Sequence, residues 1–209
     1  MSYETEEQRV EAIRKWWSEN GTSIIAGLVL GLALLFGWRY WVDHREGQRE
    51  EASALFTELQ QAANSGNAGR VDEVTTMLQQ DYAGTPYAGQ ASLNNAQLLA
   101  KAGKLDQAEE VLSWASLNAN EQVIKDLAHL NLARLYVAQG KTDQALGELA
   151  KVEASAYLSQ VEEIRGDALR ASGDIEGARE AYDRAILTSG GSAPAYLQMK
   201  RDDLGNPES

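Results

Sequence analysis

The spacing of apolar and polar positions divides the chain into two unlike parts. Residues 20–38, NGTSIIAGLVLGLALLFGW, carry no charge over nineteen positions. A helix rises ~1.5 Å per residue, so this run covers about 28 Å, close to the ~30 Å hydrocarbon thickness of a bilayer. Trp16 and Trp17 precede it and Trp38, Tyr40 and Trp41 follow it, the placement of interfacial aromatic belts. Arg39 at the distal edge is long enough to reach the headgroups. A buried core helix has no reason to carry tryptophan at both ends. A cleaved signal peptide would end in small residues, whereas the bulky, charged WRYWVDHRE follows here. The pattern predicts an uncleaved transmembrane helix over residues 21–42. Ahead of it, Val10, Ile13 and Trp17 share one helical face, which predicts a short amphipathic segment within residues 1–20 at the membrane surface.

Beyond residue 43 the apolar positions take helical spacing and repeat. GKLDQAEEVLSWA from Gly103, GKTDQALGELAKV from Gly140 and GDIEGAREAYDRA from Gly173 align. Each has Ala five residues after the glycine, at 108, 145 and 178, and a large residue at 112, 149 and 182. The glycines are 37 and 33 residues apart, and an earlier, degenerate copy is placed on Gly69, with Val74, Leu78 and Pro86 in matching positions. Such a unit predicts a helix, a turn in which glycine takes a left-handed backbone, and a second helix crossing closely at the alanine. Gly166 and Leu169 fall in register on the first helix of the last copy. Residues 194–204 read as a polar-faced capping helix and 205–209 as a tail. The predicted fold is all-α: one N-terminal transmembrane helix, then an α-solenoid over residues 43–204. A generic antiparallel helical bundle would bury the same positions.

A period near 34 with this small-large pattern resembles the tetratricopeptide repeat over residues 49–187. In that register the first helices line a groove. Its candidate partner-binding positions are Leu93 and Gln97, then Leu127, Leu130, Arg134 and Val137, then Glu163, Asp167 and Arg170. Apolar in the middle and charged at its end, this face suits an extended polypeptide more than a small molecule. The leucines among these positions are equally placed to pack beneath a neighbouring helix. In the membrane span, Gly27 and Gly31 form a small-xxx-small pattern that admits a partner helix, or simply faces lipid.

Composition narrows the chemistry. With 31 acidic and 19 basic residues the net charge is −12, which argues against nucleic acid as a partner. Absence of cysteine removes disulfides, thiolate metal sites and thiol nucleophiles. His44 and His129 lie far apart with no second ligand at metal spacing, and His129 falls on a helix-packing position. Acidic pairs such as Glu109-Glu110, Glu162-Glu163 and Asp202-Asp203 sit at positions where solvation accounts for them. No GxxxxGK[ST] phosphate loop is present. No cofactor, metal or catalytic residue is expected. Basic residues flank the span evenly, Arg9, Arg14 and Lys15 before and Arg39, Arg45 and Arg49 after, so charge leaves its orientation open.

The layout as a whole resembles the bacterial YfgM family. The matching pieces are Glu19-Asn20-Gly21, Gly37-Trp38-Arg39-Tyr40-Trp41 at the membrane exit, and Ile164-Arg165-Gly166-Asp167-Ala168-Leu169 in the repeats. That resemblance implies a non-enzymatic ancillary subunit of the Sec translocon in the bacterial inner membrane. It implies a cytoplasmic N-terminus and a periplasmic repeat domain. The implied partners are the SecYEG channel, the periplasmic chaperone PpiD and translocating polypeptides, beside membrane lipid. Handing new polypeptides to periplasmic chaperones and restraining an envelope-stress regulator are the implied roles. A membrane-anchored scaffold assembling other cell-envelope complexes would share the same architecture.

Overall fold

The computed structural model describes residues 3–190 and 194–205, with side chains described from residue 8 onward. The tail expected beyond residue 205 lies outside the described residues. Among the described residues every regular element is helical. They are α1 (Tyr3–Asn64), α2 (Ala68–Asp81), α3 (Pro86–Lys101), α4 (Leu105–Asn118), α5 (Gln122–Ala138), α6 (Thr142–Leu149), α7 (Leu158–Ser172), α8 (Ile175–Thr188) and α9 (Ala195–Asp202). A 3-10 turn at Ser155–Tyr157 precedes α7. The chain forms two compact units, residues 1–48 and 49–209.

In the first unit, α1 is continuous through Asn20 and Gly21, so the amphipathic segment is not a separate helix. Asn20 donates to the Trp16 carbonyl at 3.0 Å and the Trp17 ring lies over Gly21. Leu28, Leu35 and Phe36 are each more than 60% exposed. Among the described residues only 6% of the apolar window of this candidate membrane span is buried. Apolar surface of that extent is strongly unfavourable in water and costs nothing in hydrocarbon. Past its end, the Trp38 and Trp41 rings meet at 5.4 Å and the Arg45 guanidinium lies 4.5 Å from the Trp41 ring centre.

The second unit is a stack of helix pairs joined by one kind of turn. Gly66, Gly103, Gly140 and Gly173 all take positive φ, between +70° and +87°. At each turn the following N–H closes a six-residue loop: Asn67 to Ala62, Lys104 to Leu99, Lys141 to Tyr136 and Asp174 to Leu169, at 2.9–3.0 Å. This is the Schellman arrangement, which satisfies carbonyls left over at a helix end and favours glycine. The first copy therefore turns at Gly66, not Gly69, which is the second residue of α2. The physical reason is local: Asn67 caps α2 by accepting from the Arg70 N–H at 3.1 Å, and that starts the helix before Gly69. Counted from Gly66, the fully buried Val71, Thr75 and Leu78 fill the small-large-small positions, which explains why this copy looks degenerate.

The expected crossing alanines, Ala108, Ala145 and Ala178, are all fully buried. At Gly166 α7 and α8 approach closely, since a Cβ there would sit 2.5 Å from the ring of the fully buried Tyr182. One apolar core runs through the middle of the stack, centred on Leu112, Leu130, Leu132, Leu149 and Ile164. A second joins Ala52, Leu59 and Ala62 of α1 to Val71, Val74 and Leu78 of α2 and to Ala88 and Ala91 of α3. The short α6 ends at Leu149 and irregular chain follows. There the fully buried Asp126 carboxylate accepts from the Glu153 and Ala154 N–H groups, both at 3.1 Å, and from Gln122.

After α8, helix α9 (Ala195–Asp202) buries Leu197 against the stack, and Gly205 beyond it again takes positive φ. Helix α9 thus has the position of a fifth first helix.

Candidate docking face

Helices α3, α5 and α7 are the first helices of successive pairs, and their equivalent positions fall on one face. Between α3, α4 and α5 this face opens into a groove of about 570 Å³. Leu93, Ala96, Leu105, Leu112 and Leu135 supply apolar walls, Asn94, Gln97 and Asn131 supply amides, and Lys101 and Arg134 supply the charge. Among the described residues neither cation forms an ion pair. Arg134 donates to the amide oxygens of Asn131 at 3.2 Å and Gln160 at 3.4 Å.

Of the positions the repeat pattern nominated, Leu93, Gln97 and Arg134 line this groove. Leu127 and Val137 are half-buried and pack on the central core. Leu130 is a correction: fully buried, it supports the floor and cannot touch a ligand. Periodicity could not separate it from its neighbours, because a groove-facing and a core-facing leucine share the same helical spacing. The pattern also missed Asn94 and Asn131, and the contribution of Leu105 and Leu112 from the second helix α4, which only packing brings into the wall.

One unit further on, the equivalent face is covered. Lys200 of α9 donates to Glu163 at 2.7 Å and to Asp167 at 2.8 Å. Tyr196 donates to Glu163 at 3.0 Å and Tyr182 to Asp167 at 2.7 Å. Burial alone would lower the Lys200 ammonium, but the hydrogen bonds and charges of Asp167 and Glu163 outweigh it and hold its pKa above the ordinary lysine value. Burial, then Asp167 as acceptor, pushes the Tyr182 phenol well above its usual range. Glu163 and Asp167 are therefore not free recognition groups, and Arg170, in the last turn of α7, remains exposed. A signal was present in the sequence: Tyr196 and Lys200 each lie 33 residues after Glu163 and Asp167, one repeat on.

His129 is half-buried rather than enclosed in the apolar core, and its Nδ1 lies 2.7 Å from Glu148, which also binds Lys151. The contact ties α5 to α6. Among the described residues no cluster of three or more His, Asp or Glu side chains is placed to hold a metal. In the membrane span Gly27 and Gly31 are open, with nothing within 4 Å of an added Cβ, and Trp16, Trp17, Trp38, Tyr40 and Trp41 are exposed.

Comparison with known proteins agrees with this geometry. The chain is 28% identical over 204 residues to a protein of Escherichia coli (strain K12) named ancillary SecYEG translocon subunit, covering 98% of this chain and 97% of the relative. A Haemophilus influenzae protein of the same name is 27% identical over 98% of this chain and 100% of its own length. One from Neisseria gonorrhoeae is 26% identical over 95% and 97%. These relatives bear out the family resemblance drawn from the ENG, GWRYW and IRGDAL segments. The tetratricopeptide repeat-like domain matches residues 14–206, nearly the whole chain. Four turns of one geometry, crossing alanines at fixed offsets and that match together place this chain in the tetratricopeptide repeat-like domain family.

Proposed function

We propose that this protein is a membrane-anchored, non-enzymatic ancillary subunit of the Sec translocon. The observation that carries the reading is the near end-to-end likeness to relatives bearing that name, anchor and repeats included. The apolar part of α1 holds the chain in the inner membrane, residues 1–20 lie in the cytoplasm, and the repeats of residues 43–204 lie in the periplasm. A single span confines the repeats to the channel's exit side and raises their effective concentration for emerging polypeptides without tight binding. The open groove between α3 and α5 is the surface on which such a polypeptide docks before it passes to a periplasmic chaperone such as PpiD. Restraint of an envelope-stress regulator would use the same interaction domain. Gly27 and Gly31, open and on one face, are the place for a channel helix to pack.

Site-specific photo-crosslinking in native membranes tests this, with probes at Gly31, Gln97 and Arg134. Crosslinks from Gly31 to a channel subunit, and from the groove to secretory chains or a periplasmic chaperone, are expected. Groove crosslinks only to cell-envelope enzymes, with none to the channel, would replace this reading with the scaffold.

A further inference from the structure

The charges that line the open groove are of one sign, in a chain of net charge −12. Elsewhere in the stack Arg70 pairs with Glu58 and Glu73, Arg184 with Glu162 and Glu180, and Lys200 with Glu163 and Asp167, while other cations such as Lys104, Lys141 and Arg170 stand outside the groove lining. Lys101 of α3 and Arg134 of α5 both line the groove, and among the described residues neither forms an ion pair and no carboxylate shares the lining. A cation left without its counter-ion beside low-dielectric aliphatic walls attracts an anion more strongly than one in open water. Beside these cations, Asn94, Gln97 and Asn131 line the same groove and present amide donors and acceptors. Those match the alternating N–H and C=O of an extended backbone, which a lipid headgroup or a free phosphate lacks. The leucine walls match aliphatic side chains.

We propose that the groove selects its occupant by charge, taking an extended polypeptide segment that carries acidic side chains among aliphatic ones. Its carboxylates meet Lys101 and Arg134, its backbone the amides, and its aliphatic side chains the wall of Leu93, Leu105 and Leu135. The proposal rests on the docking role given to this groove and adds the class of segment that fills it. The net negative charge of the chain disfavours an acidic segment on its surface at large, whereas the groove lining carries cations and no acidic side chain.

The test uses the full-length chain in detergent micelles and three fluorescein-labelled decapeptides of alternating leucine with glutamate, glutamine or lysine. Fluorescence anisotropy gives each Kd at about 50 mM and about 300 mM salt. The glutamate peptide is expected to bind at least about fivefold tighter than the glutamine peptide, with the gap shrinking at high salt. Charge reversal by Lys101→Glu with Arg134→Glu is expected to transfer the preference to the lysine peptide, with unchanged thermal unfolding as the check on folding. Equal binding of all three peptides would overturn charge selection and leave the docking role standing. Binding of none would overturn both. Phosphatidylglycerol vesicles that displace the glutamate peptide from the parent chain, but are not bound by the reversed variant, would overturn the peptide in favour of a lipid headgroup.

Discussion

Two stretches of the same face, one repeat apart, have opposite fates. Around α3 and α5 the first-helix positions are open, cationic and flanked by leucine. Around α7 the corresponding positions are acidic and covered, because α9 lies over them with Tyr196 and Lys200. Both stretches obey the same helical register. What separates them is the neighbour that packs next, and the lesson is that register identifies candidates while the following helix decides whether they stay available.

Substitution in the covered stretch should have the largest effect. Gly166→Leu drives a side chain into the buried Tyr182 ring and is expected to cost about 3 kcal/mol, at the upper end for overpacking. A urea unfolding midpoint equal to that of the parent would show that the approach of α7 to α8 is looser than described. Behind the open stretch, Asp126→Ala strips three hydrogen bonds from a fully buried acceptor. It should cost about 2–3 kcal/mol by leaving the Glu153 and Ala154 N–H groups unsatisfied. Amide exchange at those two positions reports it directly, and unchanged protection there would break the assignment.

Lys200→Ala attacks the difference between the two stretches. It should cost about 1–2 kcal/mol and expose two neighbouring carboxylates, so the covered end gains affinity for a basic peptide. Because the folded-state pKa of Lys200 is raised, its contribution is fully present below the unfolded value of about 10.4 and is lost as pH rises through the higher folded-state value. The stability gap between parent and variant should hold constant across neutral pH and close in alkaline solution. A gap that closes near pH 7 would assign the effect to another group. The smallest effect on stability belongs to Lys101→Ala and Arg134→Ala in the open stretch, whose cations hold no carboxylate among the described residues. Both should unfold with the parent while binding the acidic peptide less well. A clear fall in either melting temperature would mean that the cation serves the fold.

The repeat was legible at Gly103, Gly140 and Gly173, because a left-handed turn favours glycine, and at Ala108, Ala145 and Ala178, because a close crossing admits little else. It was misread where NSGNAG offers two glycines and the choice between Gly66 and Gly69 falls to the Asn67 cap. Part of the groove was legible for the same reason of period. Leu93, Gln97 and Arg134 line it, whereas Leu130 sinks into the core and Glu163 and Asp167 are taken by Lys200.

The sequence by itself determined the apolar span, the helical class, the repeat and its turns. Each of these follows from chemistry between residues close in the chain: hydropathy over nineteen positions, backbone strain at one glycine, a side chain one turn away. The tertiary structure alone decided which leucine is wall and which is core, that α4 completes the groove, and that α9 closes one end and leaves Lys101 and Arg134 open. Those outcomes depend on side chains from helices far apart in the chain meeting at van der Waals and hydrogen-bonding distance, and no local pattern encodes which of several equivalent faces a neighbour will cover.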